Sequence, residues 1–311
     1  MGLDLQTALR LVTALLNLAV AVLTGASVSR LWLGRDVSRW AGARRRPVRL
    51  AALAAALVAL AADVAWLWLE SAAMAEVPVA AAAGATWSML VSSHLGLACG
   101  IGMAALVVAG AGACMRGGGP GPALLTLAAL AVFWYARGMV SHASSDGDAS
   151  VRLLADWAHL GLVSLWVGEV MVAGAITLKA SAQMDGSDRR ARAAYVASLS
   201  SSATFALTGI FVTGLYAVWR GADGWANLLG NPWGNTLAVK VLLVGVGAAL
   251  GGFNRFVVMP PWLARESAGD AAAEAFPARF RRIVRIEAVV LLAVVALAAW
   301  LASTSPPGES M

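Results

Sequence analysis

Eight stretches of mostly apolar residues, each about 20 or longer, punctuate this chain, at roughly 7–32, 48–69, 86–113, 120–141, 153–178, 194–219, 234–257 and 283–303. A helix rises 1.5 Å per residue, so about 20 residues cross a ~30 Å hydrocarbon layer. Composition agrees with that reading. Of 311 residues, 60% are hydrophobic and 13% charged, with a mean hydropathy of +0.75, against roughly 45–50% and 25% in soluble domains. The alternation of a membrane barrel is absent, and backbone groups in lipid must otherwise be satisfied within helices. The expectation is an all-α membrane protein, a bundle of eight transmembrane helices forming one polytopic domain over 1–311. The first stretch follows Arg10 as a signal peptide would, but it is too long for an h-region and lacks a small-residue cleavage site, so it counts as a helix.

The loop charges give an orientation. After the first stretch come Arg35, Arg39, Arg44, Arg45, Arg46 and Arg49. Arg116 follows the third, Arg189, Arg190 and Arg192 the fifth, and Arg255, Arg265, Arg279, Arg281 and Arg282 the seventh. The alternate loops hold Glu70, Glu76, Asp146, Asp148 and Asp223, with Arg152 and Arg220 at helix ends. By the positive-inside rule the arginine loops are cytoplasmic and both termini periplasmic. Trp66, Trp68, Trp87, Trp157, Trp219, Trp225 and Trp233 then form an outer aromatic belt. Residues 264–282 (RESAGDAAAEAFPARFRRI), within a cytoplasmic connection over 258–282, read as an amphipathic segment held to anionic lipid by arginines. GGGPGP (117–122) is a tight break between the third and fourth helices. No repeat of fixed period is visible. Cys99 and Cys114 lie in or beside apolar runs and give no disulfide framework. On a membrane chain the +6 net charge encodes orientation and speaks against a nucleic-acid partner.

Only three histidines occur, and two flank one short loop in SHASSDGDASVRLLADWAH (141–159). His142 closes the fourth helix. His159 falls six residues into the fifth, roughly 9 Å down, and His94 eight residues into the third, roughly 12 Å down. All three therefore share the outer third of the membrane. Intramembrane ionisable groups are costly and mark cavities or pathways, and imidazole suits copper. Asp156, three residues before His159, could orient that ring, and Met139, three before His142, offers a soft thioether for Cu(I). The plainer alternative for any one histidine is a helix–helix hydrogen bond. Further polar residues inside the stretches are Asp63, Glu169, Lys240, Asn254, Arg285 and Glu287. An ion pair of Asp63 with Lys240 is expected. Arg285 and Glu287 fall near the cytoplasmic end, and Glu169 at mid-membrane could line a deeper cation step. A sulfur ladder through Cys99, Met103 and Met171 is not supported, since Met103 lies about 180° from His94 and Met171 about 120° from His159 on the helical wheel.

SHA…LADWAHLGLVSLWVGE resembles the His-Ala, Asp-x-x-His, Leu-Trp-x-Gly signature of the CopD (copper resistance protein D) family. SLSSSATFALTGIFVTGLYAVW (198–219) is similar to that family's sixth helix, NTLAVKVLLVGVGAALGGFNRFVVMP (235–260) to its Lys…Asn-Arg…Pro helix, and RRIVRIEAVVLLAVVALAAWLASTSPP (281–307) to its closing Arg-x-Glu helix. The likeness is strongest over 135–307. Earlier, AAMAEV (72–77) and SHLG (93–96) resemble family positions, with Cys99 where a tryptophan often stands. The resemblance implies an eight-helix inner-membrane protein that handles copper, bringing it from periplasm to cytoplasm with a CopC-like periplasmic carrier as donor. His94, His142, His159 and Met139 are the candidate ligands and Asp156 their orienter, while Glu169, Lys240 and Asn254 are candidates for the pathway or its gating. Two other classes are weighed beside it. A b-type-cytochrome-like electron carrier would bind haem between two histidines, and three at one level allow at most one haem. A sensor or assembly subunit would need a docking module that the sequence does not show. No Walker loop, phosphorylated-Asp loop or Cys-x-x-Cys appears, so an enzyme is not expected.

Overall fold

Residues 4–116, 119–181, 184–221, 230–267 and 275–304 are described in the computed structural model of the chain. Ten α-helices occupy them: α1 (Leu5–Gly34), α2 (Arg39–Met74), α3 (Ala83–Ser92), α4 (His94–Cys114), α5 (Gly121–Met139), α6 (Val151–Val172), α7 (Gly186–Gly221), α8 (Pro232–Phe253), α9 (Met259–Ser267) and α10 (Ala275–Leu301). Among the described residues no strand occurs, and eight helical runs are long and apolar enough to cross a bilayer. These spans are α1, α2, α4, α5, α6, α7, α8 and α10, so the bundle expected from the apolar stretches is the one found. The even number puts both ends on the same side.

Three departures have local causes. The third stretch is not one helix. Ser93 is extended (φ −120°, ψ 154°), and its hydroxyl accepts the Gly96 N–H at 2.9 Å as the N-cap of α4. A Cβ on Gly96 would lie 2.1 Å from the Met89 carbonyl oxygen, so only glycine lets α3 fold back onto α4. The second and sixth spans are longer than their apolar cores. α2 begins at Arg39 and α7 at Gly186, so most arginines assigned to loops stand on helical turns that extend those spans. The segment expected as one amphipathic connection continues from α8 through a widened π turn (Asn254–Val258) into α9, where Trp262 is fully buried against Phe280. Residues 268–274 of that segment, with Asp223 and Trp225 of the sixth loop, lie outside the described residues.

α6 is the central helix, packed on α1, α5, α7 and α10, while α4 joins α2 to α5 and α8 rests on α10. The α1–α6 crossing is backbone against backbone. A Cβ on Gly168 would lie 1.8 Å from the Ala21 carbonyl oxygen, and one on Gly25 2.0 Å from the Gly168 carbonyl carbon. Small residues at a crossing replace hydrophobic drive with close van der Waals contact, because lipid is as apolar as a protein core.

Helices that run toward one end of the bundle leave carbonyls unpaired there, and arginines cover them. Arg30 donates to Gly112 and Met115 at 3.2 and 2.9 Å, and Arg45 to Leu33 at 3.1 Å. Arg44 donates to Thr177 and Lys179, both at 2.9 Å. The π turn Ala173–Thr177 that ends the fifth span offers Gly174 O to Arg285 at 3.1 Å. Arg44 and Arg45, two of the charges that give orientation by sequence, thus also cap α6 and α1, as Arg30 caps α4, where a cation meets the negative end of the helix dipole.

Candidate functional site

The fourth and fifth spans meet in a short hairpin, a 3₁₀ turn over His142–Asp146 followed by Gly147 at φ +96°, where a side chain would be strained. Ser150 then caps α6 by accepting the Leu153 N–H at 3.1 Å. The hairpin is fastened to residues of α4, α5, α6 and α7. Asp148 Oδ2 lies 2.7 Å from His94 Nε2 at the start of α4, and the Asp148 carbonyl accepts the Tyr135 hydroxyl at 2.7 Å. Asp146 accepts from Arg220 of α7 at 2.6 Å, with Arg152 at 4.0 Å. Both loop carboxylates are thus already engaged with cationic or imidazole groups of the same chain.

His159 lies eight residues after Val151 and so roughly 12 Å along α6. Its Nδ1 is 2.9 Å from Thr213 Oγ1, and its ring rests over Gly214, where an added Cβ would be 3.6 Å from Cε1. Asp156 does not touch that ring. Its Oδ2 accepts the Ser141 hydroxyl at 3.0 Å, so it fastens the residue before His142, and the group that fixes the His159 ring is Thr213. Lys240 of α8 is within electrostatic reach of both Asp156 and His159. The pair expected between Lys240 and Asp63 is not formed: the carboxylate within electrostatic reach of Lys240 is Asp156, and the cation within reach of Asp63 is Arg137.

The other candidates are placed as follows. The break at Ser93 puts His94 at the first residue of α4, with a side chain 52% exposed, not eight residues down a helix. Met139 is buried with Ala98 and Leu153. The side chain of His142 lies outside the described residues. Among the described residues no three His, Cys, Asp or Glu side chains gather at metal-binding spacing.

Deeper along α6, Glu169 is fully buried. Its Oε1 accepts the Ser202 hydroxyl at 2.7 Å, and its Oε2 has no hydrogen-bond partner. Glu287 is also buried and accepts the Trp166 indole N–H at 3.0 Å, which gives it a packing partner in the bundle interior. Asn254 donates to the Phe280 carbonyl at 3.4 Å and leaves its own Oδ1 unpartnered.

Sequence reasoning passed over Arg137. Its guanidinium carbon stands 4.5 Å from the centre of the Trp66 ring, and its charge acts on Asp63, Glu70, Cys99 and Asp156. Asp63 is 1% exposed with Oδ2 unpartnered, so the charge of Arg137 is what compensates it. Two residues from a span's end, an arginine reads as an interface anchor, and nothing local distinguishes the two roles. Thr213 and Ser202 were missed for a similar reason, since a hydroxyl on a helix normally satisfies itself on its own backbone.

Two family models match. One described as "Copper resistance protein D" covers residues 193–301, and one described as "Copper resistance protein D-like, N-terminal domain" covers residues 3–152. No curated protein and no solved structure matches the chain. Between them the two models take in most of the eight-span bundle, including His94, His142, Lys240 and Glu287, and the chain belongs to the copper resistance protein D family, whose members are multi-pass proteins of the inner membrane.

Proposed function

We propose that this protein carries copper across the inner membrane from periplasm to cytoplasm, with His159 as the ligand that admits it to the bundle. The observation that carries this reading is the setting of that imidazole. It is fixed by Thr213, lies one turn below Asp156, which holds the hairpin bearing His142, and has Lys240 nearby. Imidazole is a good copper ligand, and one carboxylate and one ammonium beside it nearly cancel. A cation there is held by ligand bonds without deep electrostatic trapping, which suits a site that must release its cargo.

His142 and His94 would complete the shell, with Met139 as a soft fourth ligand. For His94 this means leaving Asp148, so copper and that carboxylate compete for one nitrogen. Glu169 would be an inner station, and Lys240 and Asn254 would shape the path. A CopC-like carrier is the donor that fits a periplasmic mouth. With no nucleotide-binding or phosphorylation motif in the sequence, transport would run down a gradient or be coupled to one. Nothing in the geometry favours the haem reading. The test is metal analysis of detergent-purified protein after copper loading. Wild type should retain copper, while His159→Ala and the His142→Ala/His159→Ala double variant should not. Undiminished copper in the folded double variant overturns the site.

A further inference from the structure

The α6–α7 interface holds a register that runs through the site. His159 pairs with Thr213 and Glu169 with Ser202, and between them Leu162 packs on Gly209. On α6, His159, Leu162, Trp166 and Glu169 recur at spacings of 3, 4 and 3. On α7, Ser202, Ala206, Gly209 and Thr213 recur at 4, 3 and 4, so each set forms one face of its helix. Residue numbers in the contacting pairs sum to 371 or 372, as an antiparallel pair in constant register requires. The two polar pairs are ten residues apart, roughly 15 Å, or about half of a ~30 Å hydrocarbon layer.

Between the pairs the seam is apolar and tight. A Cβ on Gly209 would lie 2.5 Å from Leu162 Cδ1, so the leucine occupies the space a larger residue would fill. Ala206 is fully buried, and Ile210 and Trp166 are nearly so. Trp166 gives its N–H to Glu287 of α10 and sets its ring edge against Gly247 of α8, so it brings no polar group to the seam.

Building on the transport reading, we infer that Leu162, seated on Gly209, is the residue that separates the outer polar pair from the inner one and sets leak against carriage. An apolar constriction excludes water and ions because neither can be solvated there. Cargo at His159 reaches Glu169 only when α7 moves off Leu162, and Gly209 allows such movement with no side chain of its own to repack.

The test uses the full chain in liposomes, with copper uptake and proton leak (by an internal pH dye) read separately. Leu162→Ala should raise proton leak about tenfold, the change that a barrier lower by roughly 1.4 kcal/mol produces. Leu162→Gln, of similar length but able to hold water, should raise it as well and carries the test if the alanine variant fails to fold. Leu162→Met should stay at the wild-type level. Wild-type leak in folded Leu162→Ala and Leu162→Gln overturns the inference. No copper uptake by the wild type overturns the transport reading instead, uptake that survives His159→Ala overturns His159 as its entry ligand, and in either case the proton-leak comparison still decides the role of Leu162.

Discussion

The Ser141 hydroxyl donates to Asp156 Oδ2 across 3.0 Å, joining the residue before His142 to the turn of α6 that carries His159. A carboxylate acceptor makes a stronger hydrogen bond than a neutral one, and both groups are sheltered between helices. The hairpin is therefore clamped at its neck by this bond and at its tip by Asp146 and Asp148.

Asp156→Asn should weaken copper binding by about 10–100-fold without abolishing it, the usual cost of removing a group that holds a ligand in place. Ser141→Ala should do the same. Since the first weakens and the second removes the same bond, the double variant should cost little more than Ser141→Ala alone, with a coupling of about 0.5–3 kcal/mol. Copper titrations of the four proteins check this, and strictly additive losses would count against the clamp.

Thr213 can be separated from His159 by its effect. Thr213→Val keeps the shape and removes the hydroxyl that meets Nδ1, so affinity should fall by about 10–100-fold, whereas His159→Ala should leave no measurable site. Because imidazole binds metal only when neutral, copper occupancy in the wild type should fall on acidification. Equilibrium dialysis at a series of pH values reads all three.

The α1–α6 crossing predicts a contrast among glycines. Gly168→Ala forces a methyl against the Ala21 carbonyl and should cost about 1–3 kcal/mol or more as overpacking. Gly100→Ala on α4, where nothing lies within 4 Å of the new carbon, should be neutral or stabilising by up to ~1 kcal/mol from helix propensity. Thermal unfolding in detergent should rank them in that order.

At the arginine-rich end, Asp185 Oδ1 accepts the Ser187 hydroxyl and the backbone N–H of Ser187 and Asp188, and Oδ2 accepts from Arg39. The Ser187 hydroxyl above all, then the Asp188 N–H, with Arg39 and the Ser187 N–H helping, hold this carboxyl well below the usual carboxylate range. A depressed folded pKa means stabilisation that is full above the unfolded pKa, near about 3.9, and is lost as pH falls through the lower folded value. The stability gap between wild type and Asp185→Asn should be flat at neutral pH and close only below about pH 4. A gap that instead widens on acidification would contradict this assignment.

Orientation is testable directly. With the arginine loops cytoplasmic, reporter fusions and impermeant thiol labelling at residues 180–193 should report the inner face. Labelling from the periplasm would reverse the bundle and place His159 in the inner leaflet.

The eight spans were legible because lipid imposes one rule on every position: about 20 apolar residues with all backbone bonds internal. The family was legible because the resemblance rests on local runs, of which SHA (141–143) and the stretch 198–219 fall within the matched residues. The break at Ser93 was not, since its cause is Gly96 meeting Met89 across a fold-back that hydropathy does not register, and with it went the supposed depth of His94. Partners across helices were equally hidden. Sequence spacing offers Asp156 to His159 at i, i+3, yet tertiary packing gives that carboxylate to Ser141 and the ring to Thr213, 54 positions away. That Lys240 comes within electrostatic reach of Asp156 rather than Asp63 was decided in the same way. Periodicity states which residues share a face of one helix, but which face meets which neighbour depends on where glycines such as Gly25, Gly168 and Gly209 let backbones approach, and that only the assembled bundle decides.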